Sequence, residues 1–403
     1  MHNSREIQPD IHWVGASDRR IDRFENLFPL ENGIAYNSYV ILDEKTCLLD
    51  TVDTAVTDVF LDNVLHVLGG RPLDYLVIHH MEPDHCSNIQ SIARLFPDVK
   101  IVGNKKTFAF LEQFYPMDLK ENYHLVKDKA TLDLGEHQLQ FMTTPNVHWP
   151  EVMMSYESKT GTLFTADAFG TFGAHQGNLF ADEINFDRDE LDESRRYYIN
   201  IVGRFGRNVQ RAFKKIAAFD VKMIAPLHGP LYRTKEDIDY IMDKYQIWST
   251  YQPETQGVVM AYSSMYGNTE LAMNYLASEL SALGVYNIKM YDVSKTDPSY
   301  IVAEMHRMSN TILGLVTYNT ELYLKMASLI DEAIMTNWQN RSVSYVVNYS
   351  WGSEALNIAQ EKISKTKDMV EVGAPLTIKS SLKDEQIDEL KALAKDIADS
   401  VLA

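Results

Sequence analysis

The rhythm of apolar and polar positions changes near residue 255. Before that point the apolar runs are short and strand-like. Positions 34–42 and 46–50 flank a charged turn and read as a β-hairpin. A helical pattern follows over 55–68 and is closed by Gly69 and Gly70. The apolar run Tyr75-Leu76-Val77-Ile78 reads as a strand, and further strands are expected at 100–102, 138–143, 162–165 and 222–225. Helices are expected over 89–95, 106–114 and, as one long element, 189–217. The polar segment 252–257 contains Pro253 and Gly257 and reads as a linker. Beyond it the alternation becomes strict. Strands at 258–262, 287–292, 311–316 and 344–348 each precede a helix. A last strand near 376–378 leads to a helix with Ile387, Leu390, Ile397 and Val401 on one face. Such alternation builds a doubly wound parallel sheet of the α/β class. Two domains are therefore expected, 1–252 and 256–403.

Composition narrows the function. A chain of 403 residues with 45% hydrophobic content is long enough for two proper cores. A formal charge of -18 speaks against nucleic acid and against an anionic membrane surface. Cys47 and Cys86 are the only cysteines, too few for a disulfide framework or a four-thiolate iron site. Cys86 is expected as a small buried apolar group. No run approaches the roughly 20 apolar residues of a membrane span. The first six residues have no apolar signal core, so a cytoplasmic, reduced setting is expected.

The densest chemistry is His80-Met81-Glu82-Pro83-Asp84-His85, directly behind the strand at 75–78. Two imidazoles and two carboxylates so close together are costly unless a cation compensates the charge. The strand gives way to Pro and His, so the residues are expected on a loop. Three more polar residues end apolar runs: His148, Asp167 and His228. Four strand ends in this order converge naturally on one edge of a sheet core. A zinc hydrolase of the metallo-β-lactamase type would carry His at position 82. Glu82 makes the site harder and richer in oxygen, which favours iron or manganese.

The pattern His80-x-Glu82-x-Asp84-His85, followed by His148, Asp167 and His228, resembles the flavodiiron proteins (A-type flavoproteins) over nearly the whole chain. That resemblance implies a metallo-β-lactamase-like αββα sandwich followed by a flavodoxin-like sheet. It implies one iron on His80, Glu82 and His148, another on Asp84, His85 and His228, and Asp167 bridging both. His79 falls outside the register and is expected behind the ligands. His175 is expected to line the open side or stand behind the ligands, the alternative being an ordinary loop histidine. Tyr197 and Tyr198 lie on a helix pattern and read as core, with Tyr197 the candidate behind the ligands.

The first strand of the second domain runs into Ser264-Met265-Tyr266-Gly267-Asn268-Thr269 and then a helix. Hydroxyls, backbone N–H groups and a helix N-terminus suit a phosphate. The loop lacks the Walker lysine and the G-x-G-x-x-G spacing. It resembles the flavodoxin loop that holds the FMN phosphate. The flavin ring would then meet Thr317-Tyr318-Asn319-Thr320 and Asn348-Tyr349-Ser350-Trp351-Gly352 at two later strand ends. Leu315-Val316 departs from the Ser-Pro that the family often carries there.

The resemblance implies reduction of O2 to water or of NO to N2O at two irons fed by FMN. The donor would be external: a rubredoxin-like protein, a flavin reductase or a reduced deazaflavin. It also implies a head-to-tail homodimer, or a tetramer of such pairs, in which each flavin meets the partner's metals. Two rivals stand beside this reading. One is a metal-dependent hydrolase with an accessory flavodoxin module. The other is an electron-transfer flavoprotein with a vestigial metal domain.

Overall fold

A computed structural model describes residues 1–403. The chain divides into two compact units, Met1–Tyr198 with Phe205–Gln246, and Ile199–Arg204 with Ile247–Ala403.

In the first unit two sheets face each other. One runs in the order Arg5–Gln8, Ile11–Trp13, Tyr39–Leu42, Thr46–Leu49, Tyr75–Val77, Lys100–Gly103, Tyr123–Leu125. Its pairs are antiparallel up to Thr46–Leu49 and parallel beyond it. The other runs Thr131–Asp133, Gln138–Thr143, Met153–Glu157, Thr162–Phe164, Met223–Ala225. Tyr39, Ile41, Leu49, Val77 and Val102 of the first sheet share one core with Leu139, Phe141, Met153, Phe164 and Met223 of the second. Burying both inner faces is what holds two short-stranded sheets together. Helices Thr57–Leu68 and Lys105–Phe114 lie against the first sheet. The Asn104 side chain caps the second of these, and Gly69, with φ 57°, ends the first. At the second sheet, Lys215 of helix Gly206–Ile216 donates to Asp128 Oδ1 at 2.7 Å and to the Thr143 carbonyl at 2.8 Å. This is the expected αββα sandwich.

Some elements differ from the sequence reading. The run 34–42 is two strands, because Asn37 and Ser38 interrupt it. Ile34–Tyr36 pairs with Ala16–Asp18 in a separate ribbon, while Tyr39–Leu42 forms the expected hairpin with Thr46–Leu49. The span 189–217 is not one helix. Helix Leu191–Tyr197 widens into a π-turn at Tyr198–Val202, tightens at Gly203–Phe205 and restarts at Gly206. Gly203 and Gly206 lower helix propensity at that point, and a π-turn absorbs an extra residue. Helix Lys235–Ser249 and the strands before residue 30 were not among the expected elements.

The second unit is a parallel sheet in the order Ile288–Asp292, Thr255–Tyr262, Met308–Tyr318, Arg341–Tyr349, Leu376–Lys379. Helices Asn268–Ala282 and Ile387–Leu402 pack together on one face, where Leu276 and Leu280 share a core with Leu390, Ile397 and Val401. Helices Pro298–Arg307, Leu324–Met335 and Ala355–Ile363 pack successively on the other. Strand order reverses between Thr255–Tyr262 and Met308–Tyr318, which opens a crevice at the carboxyl ends of the strands.

At the opposite end of this sheet Arg341 is buried. Its guanidinium donates to the carbonyls of Tyr251 (2.7 Å), Asn340 (2.9 Å), Gln339 (3.0 Å), Gln252 (3.2 Å) and His306. Loss of solvent pushes its pKa down to about 9. It ties the incoming chain to the sheet. Replacing Arg341 with Leu leaves those carbonyls without their donor and is expected to destabilise this unit by about 3 kcal/mol or more. A urea midpoint equal to that of the unaltered chain would show that the carbonyls find other donors.

Candidate metal centre and cofactor cleft

The seven polar residues singled out in the first unit all come together. His80 and Glu82 follow strand Tyr75–Val77, His148 lies between strands Gln138–Thr143 and Met153–Glu157, Asp167 follows Thr162–Phe164, and His228 follows Met223–Ala225. Asp84 and His85 are not on an extended loop. They sit on a single helical turn, Pro83–Cys86, with Pro83 at its first position. All seven are buried, none more than 8% exposed.

Their ligand atoms form two groups, His80, Glu82, His148 and Asp167 in one, Asp84, His85 and His228 in the other. Glu82 Oε2 lies 3.1 Å from His80 Nε2 and 3.0 Å from His148 Nε2. Asp84 Oδ2 lies 3.2 Å from His228 Nε2. Asp167 faces both groups, with Oδ2 3.0 Å from His148 Nε2 and Oδ1 3.0 Å from His85 Nε2.

This donor set fits metal ions. His85 Nε2 and His228 Nε2 face each other at 3.0 Å, and His80 Nε2 and His148 Nε2 at 3.3 Å. Both oxygens of Asp84 and Oδ1 of Asp167 are buried without a hydrogen-bond partner. Such atoms are costly in a dry pocket unless a cation takes them. The electrostatics say the same. Burial would lower His80 and His148, yet the carboxylates raise both, His80 well above its ordinary value and His148 to about 9. Burial would raise Glu82 and Asp167, yet the surrounding imidazoles hold both well below the carboxylate range. The pocket demands positive charge. Two groups a few ångströms apart, each mixing imidazole and carboxylate, suit a pair of hard or borderline divalent ions.

A second layer fixes the ligands. His80 Nδ1 lies 2.8 Å from Glu151 Oε1, and His228 Nδ1 donates to the Ala35 carbonyl at 2.8 Å. His79 points elsewhere, bonded to Asp50 Oδ2 at 2.6 Å and Ser155 Oγ at 2.7 Å. Asn37 donates to the carbonyls of Pro226 (3.0 Å) and Gly229 (2.9 Å), on either side of His228. Its Oδ1 accepts from Trp13 Nε1 at 2.8 Å and from His175 Nε2 at 3.0 Å. His175 therefore supports the His228 loop through Asn37, and burial, then Arg19, push its pKa down to about 4. Tyr197 is fully buried, with its ring 5.6 Å from that of His228 and its hydroxyl without a partner. Burial, then the charge of Asp167, hold that hydroxyl well above its ordinary pKa.

Glu151, Asn37 and Glu25 escaped the sequence reading. Glu151 lies three residues after His148, and Asn37 is a polar break in an apolar run. Both were visible signals once the ligands were known. Glu25 lies on a two-residue turn with positive φ at Glu25 and Asn26, for which the sequence carries no glycine. Although the residue is exposed, its carboxyl meets that of Glu82. Lost solvent, then that contact, raise it to about 8. Cys86 is buried, and burial pushes its thiol up to about 12.

In the second unit a cleft opens at the crevice between the strand ends. Ser264, Met265, Tyr266, Asn268, Thr269, Thr317, Asn319, Thr320, Asn348, Tyr349, Ser350 and Trp351 line it, joined by Val316 and Ser380. Gly267, Tyr318 and Gly352 do not line it. Gly267 (φ 89°) shapes the turn and donates its N–H to Ser264 Oγ at 3.1 Å. Gly352 (φ 71°) likewise turns its loop. The Tyr318 ring packs edge-on against Tyr323. Asn348 Nδ2 reaches Thr269 Oγ1 at 3.2 Å and the Ser380 carbonyl at 3.1 Å, tying two strand ends to the first turn of helix Asn268–Ala282. Hydroxyls around the N-terminus of a 15-residue helix suit a phosphate monoester. The aromatic residues suit a flat ring.

Residues 34–229 match the family model described as ODP family beta lactamase. The chain is 30% identical over 364 residues to the anaerobic nitric oxide reductase flavorubredoxin of Pectobacterium atrosepticum, covering 89% of this chain and 70% of that protein. It is 28% identical over 401 residues to the nitric oxide reductase of Moorella thermoacetica, covering 97% of each. Among solved structures, the rubredoxin oxygen:oxidoreductase of Desulfovibrio gigas superposes with a TM-score of 0.92 at 25% identity, over 99% of each chain. The flavodiiron protein of Giardia intestinalis superposes with a TM-score of 0.93 at 23% identity, over 100% of this chain and 97% of that one.

Gly229 offers a direct test of how tightly the His228 loop is held. Its φ is +68°, and a Cβ there would fall 2.1 Å from Thr171 Cγ2. Gly229→Ala is expected to cost about 1–3 kcal/mol and to displace His228. Metal per chain by mass spectrometry, read beside the thermal midpoint, should fall. Full loading at unchanged stability would show that the loop tolerates the shift.

Proposed function

Because the chain belongs to the flavodiiron protein family, we propose that it is an oxidoreductase that reduces O2 to water or NO to N2O. The seven-residue pocket would hold two irons and the cleft of the second unit would hold FMN. The observation that carries this reading is Asp167, with one oxygen toward each of two complete ligand groups.

His80, Glu82 and His148 would hold one iron, Asp84, His85 and His228 the other, and Asp167 both. When bound, the irons supply paired sites for a small diatomic molecule and the flavin supplies electrons. The chain does the rest. Three carboxylates offset much of the metal charge, so the loaded pocket stays tolerable in a dry interior. Phe24, with its ring 5.5 Å from that of His228, packs with Phe172 and Tyr197 and keeps bulk water away. Tyr197, with its ring against that of His228, keeps its buried hydroxyl protonated. In the cleft, Ser264 and Thr269 with the helix N-terminus would take the FMN phosphate. Tyr349 and Trp351 would flank the ring.

The donor is external to these two units: a rubredoxin-like protein, a flavin reductase or a reduced deazaflavin. A head-to-tail homodimer would let each flavin serve the partner's irons. No helix of the chain is long and apolar enough to cross a membrane.

The test is anaerobic reduction of the purified chain, followed by separate pulses of O2 and NO with stopped-flow detection of flavin reoxidation. Rapid reoxidation by either gas is expected. His148→Asn should still bind FMN and accept electrons, but lose terminal turnover by 100-fold or more, as removal of a ligand with its partners left buried would do. Full turnover in that variant would assign the reaction to the flavin alone.

A further inference from the structure

The two metal groups are alike in their inner residues. Each has two imidazoles and one carboxylate of its own, and Asp167 gives one oxygen to each. One inequality between them lies in what stands behind the imidazoles. His80 Nδ1 meets a carboxylate, Glu151 Oε1, at 2.8 Å, and neither side chain has any solvent exposure. His228 Nδ1 meets only a neutral carbonyl, that of Ala35, at 2.8 Å. His85 Nδ1 is buried with no partner.

We propose that Glu151 makes the two pockets unequal, so that the pocket of His80, Glu82 and His148 holds its metal ion more tightly and favours higher ionic charge. The pocket of Asp84, His85 and His228 is then the labile one. The inference rests on the reading of this site as a two-metal centre. With His80 Nε2 turned to the metal, its proton sits on Nδ1 and is donated to Glu151. A carboxylate acceptor makes the imidazole a stronger donor than a carbonyl does. The carboxylate, one imidazole ring away from the ion, also acts on it through a dry pocket with little screening.

Glu151 is itself fixed. The same Oε1 accepts the Met81 N–H at 2.9 Å, so one oxygen orients both the ligand and its loop. Its backbone carbonyl takes Asn104 Nδ2, and Asn104 caps helix Lys105–Phe114. Glu151 is thus a positioning residue that acts through His80.

Glu151→Gln keeps the acceptor oxygen and removes the charge. The measurement is iron release from the full-length, FMN-loaded protein into excess chelator without oxygen, with the thermal midpoint and FMN content as controls of folding. The unaltered chain is expected to lose one iron quickly and one slowly. Glu151→Gln should speed the slow phase about 10–100-fold, the range for such outer contacts, and leave the fast phase alone. Two irons leaving both proteins at the same pair of rates would overturn the proposal, as would acceleration of the fast phase only. If the variant does not fold, the unaltered protein decides: loss of both irons at a single rate overturns the inequality. A chain that takes up no iron at all would overturn the functional reading as well, and is distinguishable because the unaltered protein itself fails.

Discussion

Four imidazoles and three carboxylates lie within hydrogen-bond reach of one another, out of contact with water. That arrangement is the constraint on which the first unit depends. Facing imidazole nitrogens at 3.0 and 3.3 Å can share only one proton per pair, which leaves the carboxylates around them still in need of positive charge. Unpaired carboxylate oxygens are equally costly to bury. Cations resolve both problems at once, and the sandwich supplies them with a socket. Strands of both sheets end at the same edge: the segment after Tyr75–Val77 delivers four of these side chains, and three strand ends of the second sheet deliver one each. The core of Tyr39, Phe141 and Phe164 lies below, so the polar atoms have a firm floor.

The second unit solves a different electrostatic problem. Its cleft is lined by hydroxyls, amides and aromatic rings, and none of the lining residues is Lys or Arg. An anionic group there depends on backbone N–H groups and the end of a 15-residue helix rather than on ion pairs. In a chain of net charge -18 this matters. Oriented dipoles provide local positive potential without altering the overall charge. The metal site concentrates formal charge and balances it, while the lining of the cleft carries no charged side chain.

How far these sites could be read from the sequence follows from how local their signals are. The cluster at 80–85 and the loop at 264–269 are contiguous, each behind an apolar strand, and both are legible. His148, Asp167 and His228 are legible only as a set, because each is an ordinary polar residue after an apolar run. Glu151 and Asn37 act through contacts with residues 71 and more than 180 positions away. Their local positions, three residues after a ligand and at a polar break in an apolar run, do not say what they touch. The single helix expected over 189–217 failed because helical periodicity does not reveal a π-turn, in which the hydrogen-bond step changes while the apolar spacing persists. Asn37-Ser38 shows the reverse case. Two polar residues in a β-rich run are buried, because their side chains satisfy carbonyls of other segments.

The identity of residue 82 and the closure of the pocket bear together on the kind of reaction. A carboxylate at 82 lies between His80 and His148, where a zinc hydrolase of this fold would carry a third imidazole. The added charge makes the pocket harder and stabilises ions of higher charge, which suits metals that change valence. A hydrolase must also admit the bond it cuts. Here no ligand is more than 8% exposed, and Phe24, Phe172 and Tyr197 wall the His228 side. Such an enclosure passes a diatomic molecule far more readily than an ester or a lactam. The neutral cleft of the second unit has no part in hydrolysis but is suited to a flavin. Charge, access and the second unit therefore favour electron transfer to a small gas over attack by water on a larger substrate.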